Sequence, residues 1–93
     1  MRIEFEWDET KARENRRKHG VSFEQAKGAF SDPFGIEWID DREDYGEERT
    51  ILLAMTDGTI LVVVFTERSE RIRLISARRA TRNEQNLYLE ESR

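Results

Sequence analysis

Arg49-Thr50-Ile51-Leu52-Leu53-Ala54-Met55, Thr56-Asp57-Gly58 and Thr59-Ile60-Leu61-Val62-Val63-Val64-Phe65-Thr66 together decide the fold of this chain. Two runs of β-branched and aliphatic residues flank an Asp-Gly pair, which is the pattern of two strands joined by a tight hairpin turn. The longest apolar run, Ile60 to Phe65, is six residues, far too few to span a bilayer. Downstream, Glu67 to Glu70 reads as a polar turn, and Arg71 to Ser76 alternates charged with aliphatic residues. That alternation predicts a strand with Ile72 and Leu74 toward the core and Arg71 and Arg73 together on the other face. Arg78 and Arg79 are expected just beyond it, in the link to a last helix. Upstream, Phe34 to Ile39 reads as a further strand, separated from Arg49 by an acidic loop around Tyr45-Gly46.

The flanks are helical. Arg2 to Trp7 alternates, with Ile3, Phe5 and Trp7 on one face, and reads as a short strand. Asp8 is an N-cap candidate for a helix over Glu9 to His19, whose acid comes first and whose cations Arg16, Arg17 and Lys18 come last, matching the helix dipole. Gly20 is its natural stop. Only Ala12 is apolar inside it, so this helix must lean on its neighbours through lysine and arginine stems. Ser22 and Gln25 form a capping box for a second helix, with Phe23, Ala26, Ala29 and Phe30 as its core face and Asp32-Pro33 as its end. Thr81 and Glu84 make another capping box, opening a helix to about Leu89. The expected order is β-α-α-β-β-β-β-α: an α+β domain over residues 1–93, with an antiparallel sheet and helices packed on one face.

Composition bounds the class. Apolar residues make up 37% of the chain and charged ones 39%, which suits a solvated α+β domain better than a sandwich with two buried faces. With no cysteine there is no disulfide framework and no thiolate chemistry, so the expected compartment is cytoplasmic. The charged, alternating N-terminus does not read as a signal peptide. A net charge of -4 argues against indiscriminate nucleic-acid binding, yet leaves room for a local site, because charges act over a Debye length of about 8 Å.

Charge is in fact sorted along the chain. Lys11 to His19 holds five cations against one acid, Glu37 to Glu48 seven carboxylates against Arg42 alone, and Thr66 to Asn83 six arginines against two glutamates. The acidic stretch reads either as a solvated loop or as a face that repels nucleic acid or meets a basic partner. The two basic clusters, if folding joins them, would make one small anion-binding pocket with an imidazole beside it.

His19 is the only histidine, and imidazole is the side chain best suited to exchange a proton near neutral pH; its plainer role is to cap spare carbonyls at the helix end. Arg71, Arg73, Arg78 and Arg79 carry guanidinium forks that match phosphate oxygens, or else pair with the acidic loop. Glu48 could act as a general base near these cations, although by itself it is an ordinary loop carboxylate. There is no metal-ligand spacing around His19, no glycine-rich phosphate loop and no serine or cysteine nucleophile motif. Chemistry would therefore fall to a substrate that brings its own nucleophile. RNA does so, because its 2′-hydroxyl can attack the adjacent phosphate given a proton acceptor, a proton donor and cations over the developing charge.

Phe5-Glu6-Trp7-Asp8, Lys11, Asn15, Lys18-His19-Gly20-Val21-Ser22-Phe23-Glu24-Gln25-Ala26, Phe30-Ser31-Asp32-Pro33, Gly46-Glu47-Glu48-Arg49, Arg68, Ile72-Arg73-Leu74-Ile75-Ser76-Ala77-Arg78-Arg79-Ala80, Glu84 and Tyr88 together resemble the BrnT family, from about residue 3 to 88. The resemblance implies a RelE-like α+β fold and a metal-independent endoribonuclease toxin of a type II toxin–antitoxin pair, which inhibits translation by cutting RNA and needs no cofactor. It implies a BrnA-like antitoxin that neutralises the toxin by direct contact, with operator DNA reached only through that antitoxin and no membrane involved. It puts Lys18, His19, Glu48, Arg49, Arg68, Arg78 and Arg79 on the active surface. With Arg73 from the strand pattern, the expected catalytic set is His19, Glu48, Arg78 and Arg79, and the expected RNA-binding set Lys18, Arg49, Arg68 and Arg73. Trp7 is expected in the core, or as a stacking platform. Two alternatives stand beside this: a catalytically silent module acting as antitoxin partner and co-repressor, and an RNA- or DNA-binding protein without chemistry.

Overall fold

The computed structural model describes residues 3–91; Arg2, at the start of the expected first strand, lies outside the described residues. The Asp57-Gly58 turn forms as the sequence demands. Both residues have positive φ, 49° and 75°, the two-residue hairpin geometry that aspartate tolerates and glycine prefers. It joins β3 (Arg49–Thr56) to β4 (Thr59–Arg68). A second two-residue turn, Ser69-Glu70, joins β4 to β5 (Arg71–Arg79) with φ values of 50° and 66° and no glycine. The polar turn is therefore shorter than the expected Glu67 to Glu70, because β4 runs on until Arg68 pairs with Arg71.

β1 (Glu4–Glu6) and β2 (Ile36–Asp40) complete a five-stranded sheet of order β1-β5-β4-β3-β2. β2 to β5 are antiparallel neighbours, whereas β1 lies parallel to β5, with Phe5 opposite Ile72. The sheet is thus mixed rather than wholly antiparallel. The parallel edge follows from connectivity: β1 and β5 are separated by most of the chain, so no hairpin dictates their direction.

α1 (Glu9–His19), α2 (Phe23–Lys27) and a 3-10 turn (Gly28–Ser31) follow β1. Asp8 accepts from the Thr10 and Lys11 N–H groups, Gly20 ends α1 at φ 71°, and the Ser22 hydroxyl accepts from Gln25 N–H. Phe23, Ala26 and Ala29 are buried against Leu52, Ala54, Leu61, Val63, Phe65, Leu74 and Ala77. Phe30 packs edge-on to both Phe5 and Phe65. Trp7 packs edge-on to Phe23, so of its two expected roles the packing one is what the geometry displays.

Successive strand residues face opposite ways, and the alternate residues Ile51, Leu53, Val62 and Val64 form a second core with Ala80 and Tyr88. Tyr88 belongs to α3 (Arg82–Glu91). The helices are therefore not all on one face: α1 and α2 belong with the first core and α3 with the second. The Tyr88 hydroxyl donates to Asp32 at 2.5 Å, and Asp32 also accepts from the Met55 and Phe34 N–H groups. Burial pushes the Asp32 carboxyl up, but these donors outweigh it and hold the group below its ordinary value. Among the described residues, no helix is long and apolar enough to cross a membrane.

Candidate functional site

α1 carries no apolar stripe, and what anchors it is an amide. Asn15 is buried; its Nδ2 donates to the Ala77 carbonyl at 2.8 Å and its Oδ1 accepts from the Ala77 N–H at 3.1 Å. The side chain thus pairs with β5 as a neighbouring strand would, beyond the point where β1 ends. Nδ2 also donates to the Val21 carbonyl at 3.0 Å, fixing the chain just after the Gly20 stop. One residue ties the exit of α1 to the last part of β5, and the two basic clusters come to one end of the sheet edge.

β5 is longer than the sequence suggests. Arg78 and Arg79 lie inside it, opposite Val62 and Leu61, not in a link beyond it, because β4 and Asn15 continue the pairing. Being in a strand, they point to opposite sides: Arg79 shares the side of Ala77, and Arg78 the side of the second core. The single pocket expected around both is therefore replaced by separate grooves.

Lys18 and His19 line the first groove, of about 280 Å³, with Lys11, Glu14, Asn15, Ile75 and Ser76. Here the β4–β5 register skips between Val64, opposite Ser76, and Phe65, opposite Leu74, so Ile75 is the extra residue of a bulge. Bulges redirect side chains and are common beside active sites. Arg78 lines the second groove, of about 250 Å³, with Trp38, Arg42, Ile51, Val62, Val64 and Glu84. Its fork donates to Glu84 at 2.7 and 2.9 Å. Glu84 is in turn held by the Thr81 capping box, accepting from Thr81 N–H at 2.8 Å while its own N–H donates to Thr81 Oγ1 at 3.2 Å. The Arg78 fork keeps the Glu84 carboxyl at about 2, and Glu84 raises Arg78 above its usual value.

Arg68, Arg71 and Arg73 line a third groove of about 440 Å³ with Glu6 and Ser69. Arg71 lies 3.3 Å from Glu4 and 4.0 Å from Glu6. Glu48 and Arg49 sit toward this end: the Glu48 carbonyl accepts from Thr66 Oγ1 at 2.8 Å, and Thr66 pairs with Arg73. Arg49 stacks 4.0 Å over the Tyr45 ring and reaches Glu47 at 3.4 Å. Thr66 is four residues along β4 from Val62, the partner of Arg78, which is about 13 Å of strand. Glu48 is therefore not gathered with Arg78.

The acidic segment is folded rather than loose. Asp40 is buried and binds Arg42 Nε at 2.7 Å and Nη2 at 2.8 Å, and accepts from the Tyr45 hydroxyl at 3.2 Å. Its bonds to Arg42 hold the Asp40 carboxyl at about 2, and Arg42 is raised in return. Sequence reasoning gave no site role to Asn15, Trp38 or Arg42. Arg42 carried a signal, as the single base among seven acids from Glu37 to Glu48; an asparagine in a charged helix carried almost none.

Residues 7–84 match the family described as the ribonuclease toxin, BrnT, of type II toxin-antitoxin systems. The match covers most of the chain, and the chain belongs to this family. Membership supports an RNase-type enzyme and implies an antitoxin partner. No individually curated protein is similar enough to stand beside that match.

Proposed function

We propose that this chain is a metal-independent endoribonuclease toxin, acting in the cytoplasm to stop translation by cutting RNA. The 2′-hydroxyl of the substrate attacks its own phosphate, giving a 2′,3′-cyclic phosphate and a free 5′-hydroxyl. His19 exchanges the proton at the α1 exit. Lys18 and Arg79 carry charge to the scissile phosphate there, and Arg49, Arg68 and Arg73 hold the flanking backbone toward the β4–β5 turn. Glu48, whose carbonyl accepts from Thr66 opposite Arg73, stands with that second group, where its carboxylate accepts a proton. Arg78, already forked onto Glu84, acts as a rigid plane more than as a free cation.

The observation that carries this reading is the Asn15–Ala77 bridge, which brings Lys18 and His19 to the part of β5 that bears Arg78 and Arg79. A BrnA-like antitoxin would silence the toxin by covering these grooves and would take the complex to operator DNA. The test is cleavage of single-stranded RNA by the purified chain in EDTA, with product ends identified. Cyclic phosphate ends, lost in His19→Gln, are expected. Cleavage that stops in EDTA removes the metal-independent mechanism, and full activity in His19→Gln removes His19. The charge balance at Arg78 favours a second reading, a silent co-repressor, and no growth arrest when the chain is induced alone would select it.

A further inference from the structure

The groove walled by Trp38, Arg42 and Arg78 is a poor place for a phosphate. Both guanidinium forks are already committed to carboxylates, Arg42 to Asp40 at 2.7 and 2.8 Å and Arg78 to Glu84 at 2.7 and 2.9 Å. A guanidinium balanced at hydrogen-bond distance has little net charge left to offer an anion, while its plane is held rigid and still stacks. Asp41, Glu43 and Asp44 flank Arg42 on an exposed loop, so the nearby rim repels phosphate further. The floor is apolar, made by Ile51, Val62 and Val64. Trp38 is 39% exposed, an indole left open on an edge strand. At about 250 Å³ the groove is below the roughly 300–1,000 Å³ of drug-sized sites and suits one flat heterocycle.

We propose that this groove is a nucleobase subsite, taking one unstacked base of single-stranded RNA against the Trp38 indole and the guanidinium planes of Arg42 and Arg78. The carboxylates hold each guanidinium through two of its nitrogens, so both planes are fixed before a base arrives. The inference rests on the ribonuclease reading and adds to it the place where sequence is sensed. Val64 in this floor is the β-partner of Ser76, and Ser76 lines the Lys18–His19 groove. Val64 is in turn registered through Ile51 with Trp38, so the indole and the Lys18–His19 groove lie three strand spacings apart, about 14 Å, and the sensed base is not the one next to the scissile phosphate.

The test uses His19→Gln protein, which leaves RNA whole, and a short single-stranded RNA with one abasic position moved along it. One position should weaken binding by roughly 5- to 150-fold when its base is missing, the range of base–aromatic stacking. Trp38→Ala should erase that difference without changing the salt dependence of binding, and Arg42→Met should reduce it. Equal losses at every position, or an abasic penalty that survives both substitutions, overturns the subsite and leaves the nuclease standing. Fluorescence of the unsubstituted protein separates the two ideas. Quenching by nucleoside monophosphates but not by ribose 5-phosphate, absent in Trp38→Ala, sustains the subsite even if no RNA is cut. No quenching and no RNA binding overturns both.

Discussion

The two faces of the sheet are built for different purposes. On one, α1, α2 and the 3-10 turn close over Leu52, Ala54, Leu61, Val63 and Phe65, and aromatic edges interlock from Trp7 to Phe65. On the other, α3 brings Tyr88 to one end and leaves grooves lined by Trp38, Arg42 and Arg78 and by Arg68, Arg71 and Arg73. A small domain has too little apolar surface to close both faces equally. What is left open is where the cations gather.

Substitutions of side chains that only line a groove should change function without changing stability. The largest effect is expected at His19: His19→Gln should slow RNA cleavage by about 10²–10⁴, the usual contribution of a proton-transferring group, with an unchanged melting temperature. A melting temperature that falls together with activity would make His19 a structural cap. At the buried anchor of α1 the order reverses. Asn15→Ala leaves the Ala77 N–H and carbonyl and the Val21 carbonyl without their partner, and should cost roughly 3 kcal/mol in chemical denaturation. A loss below about 1 kcal/mol would mean that water replaces the amide and that the bridge does not hold the site together.

Acid should unlock the open face. Glu84 and Asp40 sit at about 2, against ordinary values of 4.5 and 3.8. Carboxyls lowered on folding contribute stability that is complete above the unfolded value and lost as pH falls through the folded one. Thermal stability should therefore be level from pH 7 to about 5 and decline from about 4.5 to 2. An Asp40→Asn, Glu84→Gln double variant should lose stability at pH 7 and show a shallower acid limb. The smallest effect is expected at the β4–β5 turn, where Glu70 is left-handed at φ 66°. Glu70→Gly should raise stability by about 1 kcal/mol, without loss of cleavage if the turn merely connects.

Most of the fold could be read from local chemistry, because caps and turns are written in adjacent residues. Asp8, Ser22, Asp57-Gly58 and the Thr81–Glu84 pair all behave as their types dictate. What could not be read depends on residues far apart. The parallel β1–β5 pairing and the Asn15–Ala77 bridge have no local signature, and α1 lacks the stripe that would have shown its docking side. The overrun of β5 was hidden because Arg78-Arg79 resembles a loop by composition, although pairing with Leu61 and Val62 carries it on. The candidate site was legible as residue types and as two clusters, not as grooves. Strand alternation divides Arg78 from Arg79, and that division appears only once both are known to lie in a strand.

The Asn15–Ala77 bridge spans 62 positions, and β1 likewise finds its partner only in β5. A ribosome making this chain therefore releases β1 and α1 long before the strand they rest on exists. His19 and the arginines of β5 meet only after residues 71–79 have been made. The grooves beside β5 therefore form only after that strand has emerged, by order of assembly alone.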